Sequence, residues 1–144
     1  MEIIKFTRLR DNAIIPTKGS KEAAGFDLYA CLDAPVTINP GETRLIGTGL
    51  AFELPKNTFA GIFARSGLAT KKGLAPANKV GVCDSDYRGE YLVGLHNHSS
   101  APATVHHGDR IAQMVIIPYL EVTLTEGDLS NTTRGSGGFG STGV

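Results

Sequence analysis

The sequence predicts a single all-β domain, built as a sandwich, a jelly roll or a barrel. Eighteen glycines and seven prolines interrupt many short strand-like segments along the 144 residues. No segment keeps a 3.6-residue hydrophobic period. The strongest apolar stretch, residues 110–124, contains the β-branched run Val115-Ile116-Ile117 followed by Pro118, which disfavours a continuous helix.

The predicted strands are runs of strand-forming residues that turn residues separate. Asn39-Pro40-Gly41-Glu42 is a turn signal, and residues 16–25 are predicted to be a loop. The main helix candidate is 66–72, with Ser66 as N-cap and Gly73 as the residue that ends it. The predicted strands cover residues 2–9, 24–30, 36–38, 43–54, 58–64, 103–106 and 110–124.

Residues 80–95 are predicted to form a β-hairpin arm with a polar turn over 84–89. The turn contains two carboxylates, Asp84 and Asp86, followed by Tyr87 and Arg88. Such carboxylates near apolar flanks are candidates for general-base chemistry. On these residues alone, a solvated turn is the favoured interpretation, because Asp, Ser and Gly supply turn geometry.

The balance of charged residues limits the classes of molecule that the protein is expected to bind. Lys and Arg together number 14, as do Asp and Glu, so the formal net charge is zero. This balance argues against general binding to nucleic acid or to anionic membranes. Cys31 and Cys83 form no metal-binding pattern, the four histidines fit no standard zinc spacing, and no leader segment is evident. A cytoplasmic protein with reduced thiols is expected.

Three further stretches are candidates for binding an anion. Arg65-Ser66-Gly67 stands at the start of the predicted helix, and Gln113 lies within an apolar strand, where a buried amide needs a partner. Residues 135–140 match G-x-G-x-x-G, but no strand–helix unit surrounds them, so a dinucleotide fingerprint is rejected. The backbone of this tail, with Arg134 beside it, can still surround a phosphate. Each stretch also has a simpler explanation. Residues 65–67 can be an ordinary helix cap, Gln113 can contact a neighbouring strand, and the tail can be unstructured.

Together these stretches resemble the homotrimeric dUTPase family. Five family motifs occur in the family's order and span residues 24–143. Ala64 departs from the usual Pro, and Cys83 from the usual branched aliphatic residue. The motifs are Ala24-Gly25-Phe26-Asp27-Leu28-Tyr29, Arg65-Ser66-Gly67-Leu68-Ala69, Gly81-Val82-Cys83-Asp84-Ser85-Asp86-Tyr87-Arg88-Gly89, Gly108-Asp109-Arg110-Ile111-Ala112-Gln113 and Arg134-Gly135-Ser136-Gly137-Gly138-Phe139-Gly140-Ser141-Thr142-Gly143.

The resemblance implies a jelly-roll-like distorted barrel over 1–133 and a mobile glycine-rich lid over 134–144, together one dUTPase domain. It implies a homotrimer whose sites each combine the 80–95 arm of one chain, the phosphate-binding residues of a second and the tail of a third. The implied reaction is Mg²⁺-assisted hydrolysis of dUTP to dUMP and pyrophosphate. That activity limits uracil incorporation into DNA and supplies dUMP for thymidylate synthesis.

The resemblance also implies residue roles. Asp84 is the expected general base for a water that attacks the α-phosphorus in line, and Asp27 is expected to reach the metal only through water. Tyr87 packs under the deoxyribose, and Phe139 stacks on the uracil. The remaining expected substrate-binding residues are Arg65, Ser66, Gly67, Asn78, Val82, Cys83, Leu92, Gln113, Arg134, Gly140, Ser141 and Thr142.

Three alternatives stay open from the sequence. A dCTP deaminase, or a bifunctional deaminase–diphosphatase, shares the fold, although such enzymes generally lack a tail of this kind. A trimeric binding module without activity is the second alternative, against which Asp84 and Tyr87 argue. A structural jelly roll of the capsid type is the third, since a fold alone implies no function.

Overall fold

A computed structural model describes residues 3–138, which form twelve strands and one helix. The strands are β1 (Lys5–Arg8), β2 (Thr17–Lys18), β3 (Phe26–Tyr29), β4 (Val36–Ile38), β5 (Thr43–Gly47), β6 (Leu50–Glu53), β7 (Thr58–Phe63), β8 (Leu74–Pro76), β9 (Gly81–Asp84), β10 (Leu92–Asn97), β11 (Ala103–Val105) and β12 (Arg110–Pro118), and the helix is α1 (Ser66–Lys72). The all-β prediction is confirmed.

The strands assemble into four antiparallel sheets. The largest has five strands in the order β2-β3-β12-β7-β9, and a three-stranded sheet has the order β5-β10-β8. The pairs β1-β6 and β4-β11 complete the layers. Neighbours such as β3 and β12 are far apart in sequence, so the sheets form through long-range pairing, as in jelly rolls.

A single apolar cluster fills the space between the sheets. It stabilises the fold because each fully buried aliphatic or aromatic side chain contributes roughly 1.5–3 kcal/mol. Its largest fully buried apolar members are Tyr91, Leu28, Ile38, Ile46, Leu50, Leu74, Leu95, Ile111 and Val105.

Two predicted strands are shorter than expected. The run 43–54 divides into β5 and β6 because Gly49 has a φ of +69°, a left-handed conformation that favours glycine. A Cβ at Gly49 would also lie 2.9 Å from both the Cβ of Ala13 and the Sγ of Cys31. The run 110–124 ends as a strand at Pro118. The short strands β2 and β8 lie where no strand was predicted.

The predicted hairpin pairing over 80–95 is wrong. β9 pairs with β7 at the edge of the five-stranded sheet, whereas β10 lies in the middle of the three-stranded sheet. The two strands therefore diverge into different layers, and a cavity opens between them. This opening is the starting point of the candidate site.

The helix has the predicted bounds but a different cap. Arg65 occupies the N-cap position with φ −94° and ψ 130°, so the prediction of Ser66 as N-cap is wrong and Ser66 is the first helical residue. Gly73 ends the helix in the left-handed conformation, as predicted. Within residues 3–138, no helix has the length and apolar character that crossing a membrane requires.

Candidate active site

The first part of the site, called here the turn pocket, is a cavity of about 300 Å³ between β9 and β10. It brings together six of the residues predicted to form the site: Asn78, Val82, Cys83, Asp84, Tyr87 and Leu92. Because β9 is the last strand of its sheet, one row of its backbone N–H and C=O groups has no sheet partner. These groups are available to a ligand that enters the cavity.

Asp84 ends β9 and stands at the exposed edge of the turn pocket, opposite Phe59 on β7. The turn that follows is closed by its own hydrogen bonds. The backbone N–H of Tyr87 donates to the carbonyl of Asp84 at 3.2 Å, and Nη1 of Arg88 donates to the carbonyl of Ser85 at 2.7 Å. Asp84 is therefore a carboxylate held on an ordered turn.

Tyr87 is half-exposed and fixed against the turn. Its hydroxyl donates to the carbonyl of Glu90 at 3.1 Å, and its ring stacks on that of Tyr91 with centroids 6.0 Å apart. A Cβ at Gly89 would overlap the Tyr87 hydroxyl, so the absence of a side chain there permits this close packing. Tyr87 thus forms part of the pocket wall.

Glu90 and Tyr91 also line the turn pocket, and sequence reasoning did not identify either as a site residue. The Glu90 side chain accepts a hydrogen bond from the N–H of Gly49 at 2.8 Å and so anchors the returning strand. Burial raises the pKa of the Cys83 thiol, which also lines this pocket, and the neighbouring Asp84 carboxylate raises that pKa further. Cys83 is therefore a neutral thiol at physiological pH.

The second part, called here the arginine pocket, is a cavity of about 260 Å³ beside β3, β12 and the start of α1. It brings together four predicted residues: Asp27, Arg65, Ser66 and Gln113. Arg110 joins them, although no individual role was predicted for it. Two guanidinium groups beside the exposed Ser66 and the half-buried Gln113 amide make this cavity suited to an anion such as phosphate.

Asp27 links the two arginines. Nε of Arg65 donates to Oδ1 of Asp27 at 2.7 Å, and Nη1 of Arg110 reaches Oδ2 at 3.4 Å. A register shift between Arg110 and Ala112 on β12 makes this arrangement, because strict alternation would turn Arg110 and Gln113 to opposite faces. Asp27 thus orients both arginines with one partly buried carboxylate.

Gln113 is held in place by the chain that precedes the helix. Its Nε2 donates a hydrogen bond to the carbonyl of Ala64 at 2.9 Å. This bond supplies the partner that an amide inside an apolar strand was expected to need. Ala64, which departs from the usual Pro of the family, therefore contributes its backbone carbonyl to the site.

The other predicted residues lie elsewhere. Gly67 follows Ser66 in the helix but belongs to neither pocket wall. Nε of Arg134 donates to the carbonyl of Gly137 at 2.9 Å, within the tail itself. Phe139, Gly140, Ser141 and Thr142 lie outside the described residues.

Metal ligands are sparse in the part of the chain that the structure describes. Residues 3–138 contain no group of three His, Cys, Asp or Glu side chains arranged to hold a metal ion. The rings of His96 and His98 lie 4.5 Å apart, and His96 is hydrogen-bonded to Thr43 at 2.8 Å. Both carboxylate oxygens of Asp27 already contact guanidinium groups, so a metal reached through a water suits it better than direct coordination.

The two pockets lie on opposite sides of β7. Asp84 pairs with Phe59 on one side, and Gln113 pairs with Phe63 on the other, four positions further along the strand. Strand rise and spacing then separate the backbones of Asp84 and Gln113 by roughly 16 Å. One chain therefore presents the two halves of the predicted site at separate places.

Comparison with known sequences agrees with this geometry. The sequence model of the dUTPase family matches residues 11–143. The deoxyuridine 5'-triphosphate nucleotidohydrolase of Desulfitobacterium hafniense (strain DSM 10664 / DCB-2) is 56% identical over 133 residues, which cover 90% of this chain and 87% of that protein. The enzyme of the same name from Nautilia profundicola is 50% identical over 141 residues, covering 97% and 98%.

Solved structures show the same fold. The dUTPase of Staphylococcus bacteriophage 80alpha, solved with dUPNHPP, superposes with a TM-score of 0.88 and 25% identity, covering 100% of both chains. A mutant dUTPase from phage phi11 of S. aureus, described with a structural Mg(II) ion, superposes with a TM-score of 0.82 at 21% identity, covering 91% of this chain and 100% of that one. The predicted jelly-roll-like architecture is confirmed.

Proposed function

Because the chain belongs to the dUTPase family, we propose that it hydrolyses dUTP to dUMP and pyrophosphate, with Asp84 as the general base. The observation that supports this most directly is the turn pocket, where Asp84 stands at the edge of a nucleoside-sized cavity with an aromatic wall. In the cell, this activity would limit uracil incorporation into DNA and supply dUMP for thymidylate synthesis.

The turn pocket suits uracil because its walls include backbone. The free edge of β9 offers N–H and C=O groups to the base, and Val82, Cys83 and Leu92 enclose it. Cytosine reverses the hydrogen-bonding pattern at two positions, because its N3 accepts and its 4-amino group donates, which would leave buried backbone groups unpaired. The backbone would approach the base closely enough to leave no room for the methyl group of thymine. Asn78 stands in the same wall and would contact the nucleotide.

Tyr87 would discriminate the sugar. Its ring is held by the bond to the Glu90 carbonyl and by stacking on Tyr91, so it forms a fixed surface. A deoxyribose packs on this surface, whereas the 2'-hydroxyl of a ribose would collide with the ring. The discrimination depends on the rigidity of the turn, which the hydrogen bonds of Arg88 support.

In the reaction, the carboxylate of Asp84 accepts a proton from a water molecule as the water oxygen bonds to the α-phosphorus. The bond from the α-phosphorus to the bridging oxygen breaks in line with the attack, and the electron pair leaves with pyrophosphate. Asp84 is exposed and fixed at the end of β9, so it can reach a water at the pocket edge.

The arginine pocket would bind the phosphates. Arg65 and Ser66 line it with free donors, and Gln113 is oriented by the Ala64 carbonyl. Mg²⁺, bound mainly by the triphosphate, would neutralise charge that develops on the phosphate oxygens. Asp27 suits contact with that ion through water only, since two guanidinium groups occupy its oxygens.

The site would be shared among three chains. Residues that contact one phosphate must lie within a few ångströms of it, yet Asp84 and Gln113 of one chain are roughly 16 Å apart. A second chain therefore supplies the arginine pocket that meets a given Asp84. The segment after β12 exposes most of the surface of Leu120, Val122 and Leu124, as expected of a surface that contacts another chain. These observations support the trimer that the family resemblance implies.

The tail of the third chain would close over the bound nucleotide. Arg134, Ser141 and Thr142 are proposed to meet the β- and γ-phosphates, with Gly140 allowing the backbone to approach and Phe139 stacking on the base. The glycines of residues 135–138 carry no side chain that could hold the tail in a packed core. The closed position would therefore depend on the triphosphate.

A pyrophosphate-release assay with Mg²⁺ tests this function by comparing dUTP, dCTP, dTTP and UTP. Release from dUTP alone is expected. Release of ammonia from dCTP would assign the protein to the deaminase branch. An absence of release from every nucleotide, with the protein folded, would favour a binding module.

A further inference from the structure

His96 and His98 bring two imidazole rings together at the end of β10. Asn97 between them is buried in the core, so the two flanking side chains share the outer face of the sheet. The ring centroids lie 4.5 Å apart, and the ring planes are inclined by 60°. Neither ring lines the turn pocket or the arginine pocket, so the proposed function leaves this pair unexplained.

The spacing of the two rings suits ligands of one metal ion. An imidazole nitrogen lies about 2.0–2.1 Å from the metal in zinc proteins, so two such ligands on one ion place their ring centroids roughly 4.5–5 Å apart. The separation of 4.5 Å between His96 and His98 falls in that range. His96 is half-buried and His98 is exposed, so an ion can reach the pair from the solvent.

Thr43 supports the His96 ring from the neighbouring strand. The two residues face each other across β5 and β10, and Oγ1 of Thr43 lies 2.8 Å from Nδ1 of His96. When Nε2 of a histidine binds a metal ion, the ring proton resides on Nδ1 and is usually donated to an acceptor beside the site. The Thr43 hydroxyl can be that acceptor, and Nε2 of His96 is then the nitrogen that holds the ion.

We propose that His96 and His98 bind one divalent transition-metal ion through their imidazole nitrogens, with Thr43 orienting the His96 ring. Imidazole suits Ni²⁺, Cu²⁺ and Zn²⁺, whereas Mg²⁺ prefers oxygen ligands. The site is therefore distinct from the Mg²⁺ that the triphosphate would carry, and the inference does not depend on hydrolysis of dUTP.

The ion would exchange with the solvent. Within residues 3–138 no third His, Cys, Asp or Glu side chain joins the pair, so water completes the coordination. Desolvation, followed by the nearby His96 and Lys79, lowers the pKa of His98, which leaves its ring neutral at physiological pH. The positive charge of Lys79 also repels a cation, and this repulsion limits the affinity of the site.

Calorimetric titration of the full chain with Ni²⁺ at neutral pH tests the proposal. Ni²⁺ is the probe because imidazole suits it, whereas Zn²⁺ also binds thiolates. One ion should bind per chain, and millimolar Mg²⁺ should not displace it. His96→Gln and His98→Gln should each weaken binding by about tenfold to a hundredfold, because one ring alone loses the effective concentration of the other. Thr43→Val, which keeps the branched shape, should weaken it by about tenfold.

His106→Gln is the matched control, because it removes an exposed histidine elsewhere on the surface and should leave the affinity for Ni²⁺ unchanged. Equal affinity in the unaltered protein and both variants of the pair would overturn the site. A loss in only one of those two variants would also overturn it, because a shared ion needs both rings. Unchanged binding in Thr43→Val would overturn the orienting role of Thr43. The His98 side chain is exposed, so His98→Gln tests the site even if His96→Gln does not fold.

Discussion

Gly25 and Gln113 face each other so closely that a Cβ on Gly25 would lie 2.8 Å from Oε1 of Gln113. The same Gln113 side chain donates through Nε2 to the carbonyl of Ala64. The missing side chain at Gly25 therefore keeps Gln113 in the orientation that the arginine pocket requires.

Gly25→Ala should displace the Gln113 amide from the Ala64 carbonyl. The end of a glutamine side chain moves easily, so the expected loss of unfolding free energy is modest, about 1 kcal/mol. Turnover should fall by about tenfold or more, because a small displacement of a positioning group is costly in catalysis. Urea denaturation and steady-state kinetics check both values. Gly19→Ala, in the same pocket wall with nothing within 4 Å of its Cβ, is the control and should behave as the unaltered protein. Equal behaviour of the two variants would contradict the role given to Gly25.

Asp84→Asn should bind dUTP but hydrolyse it more slowly by a factor on the order of 10² to 10⁴, the usual contribution of a general base. The amide keeps the size of the side chain and loses the proton acceptor. Single-turnover kinetics separate binding from chemistry. Asp86→Asn changes the other exposed carboxylate of the same turn and should keep turnover within a few-fold. A loss of equal size in both variants would remove Asp84 from its role as the base.

The Cys83 thiol should react slowly with iodoacetamide at pH 7 and faster as the pH rises beyond 9. Burial, with Asp84 next, raises the pKa of this thiol above 9.0, so the thiolate fraction grows by about tenfold for each pH unit below that pKa. Saturating dUMP should protect Cys83, because the thiol lines the turn pocket. Mass spectrometry follows the labelling, and Cys83→Ser should abolish it. Labelling that dUMP leaves unchanged would place the nucleotide elsewhere.

Truncation after Thr133 should keep dUMP binding and lose most of the turnover on dUTP. Ordering a glycine-rich tail costs conformational entropy. Charge-assisted hydrogen bonds to the β- and γ-phosphates can offset that cost, and dUMP lacks both of these phosphates. The tail should therefore close on the triphosphate only. Unchanged turnover in the truncated protein would show that no lid is needed.

The local sequence predicted most of the strands. Strand-forming residues between turn residues are typical of a sheet with one buried face, so no knowledge of distant contacts is needed to recognise them. The same logic failed for β9 and β10. Their sequence alternates as a hairpin does, but pairing is decided by which strands of the whole fold are free, and β7 and β5 are the partners. Long-range pairing of this kind leaves no local signal.

The family resemblance predicted many of the residues that line the two pockets, but it did not predict the residues that hold them in place. Arg110 reaches Asp27 because of the register shift next to it, which alternation cannot reveal. Tyr91 fits the pattern of a buried core residue, and nothing in the local sequence indicates that it also lines the turn pocket. The roles themselves, including that of Asp84, stay predictions.

Mixing two inactive variants tests most directly the claim that each site combines different chains. Asp84→Asn lacks the base, and Arg65→Gln lacks a phosphate ligand. If the two variants are unfolded together in equal amounts and refolded into cyclic trimers, about a quarter of the sites should contain an intact Asp84 and an intact Arg65 from neighbouring chains. Recovery of dUTP hydrolysis to about a quarter of the original rate is the predicted result. Mixed trimers that stay inactive would contradict the shared site and place both residues in a site within one chain.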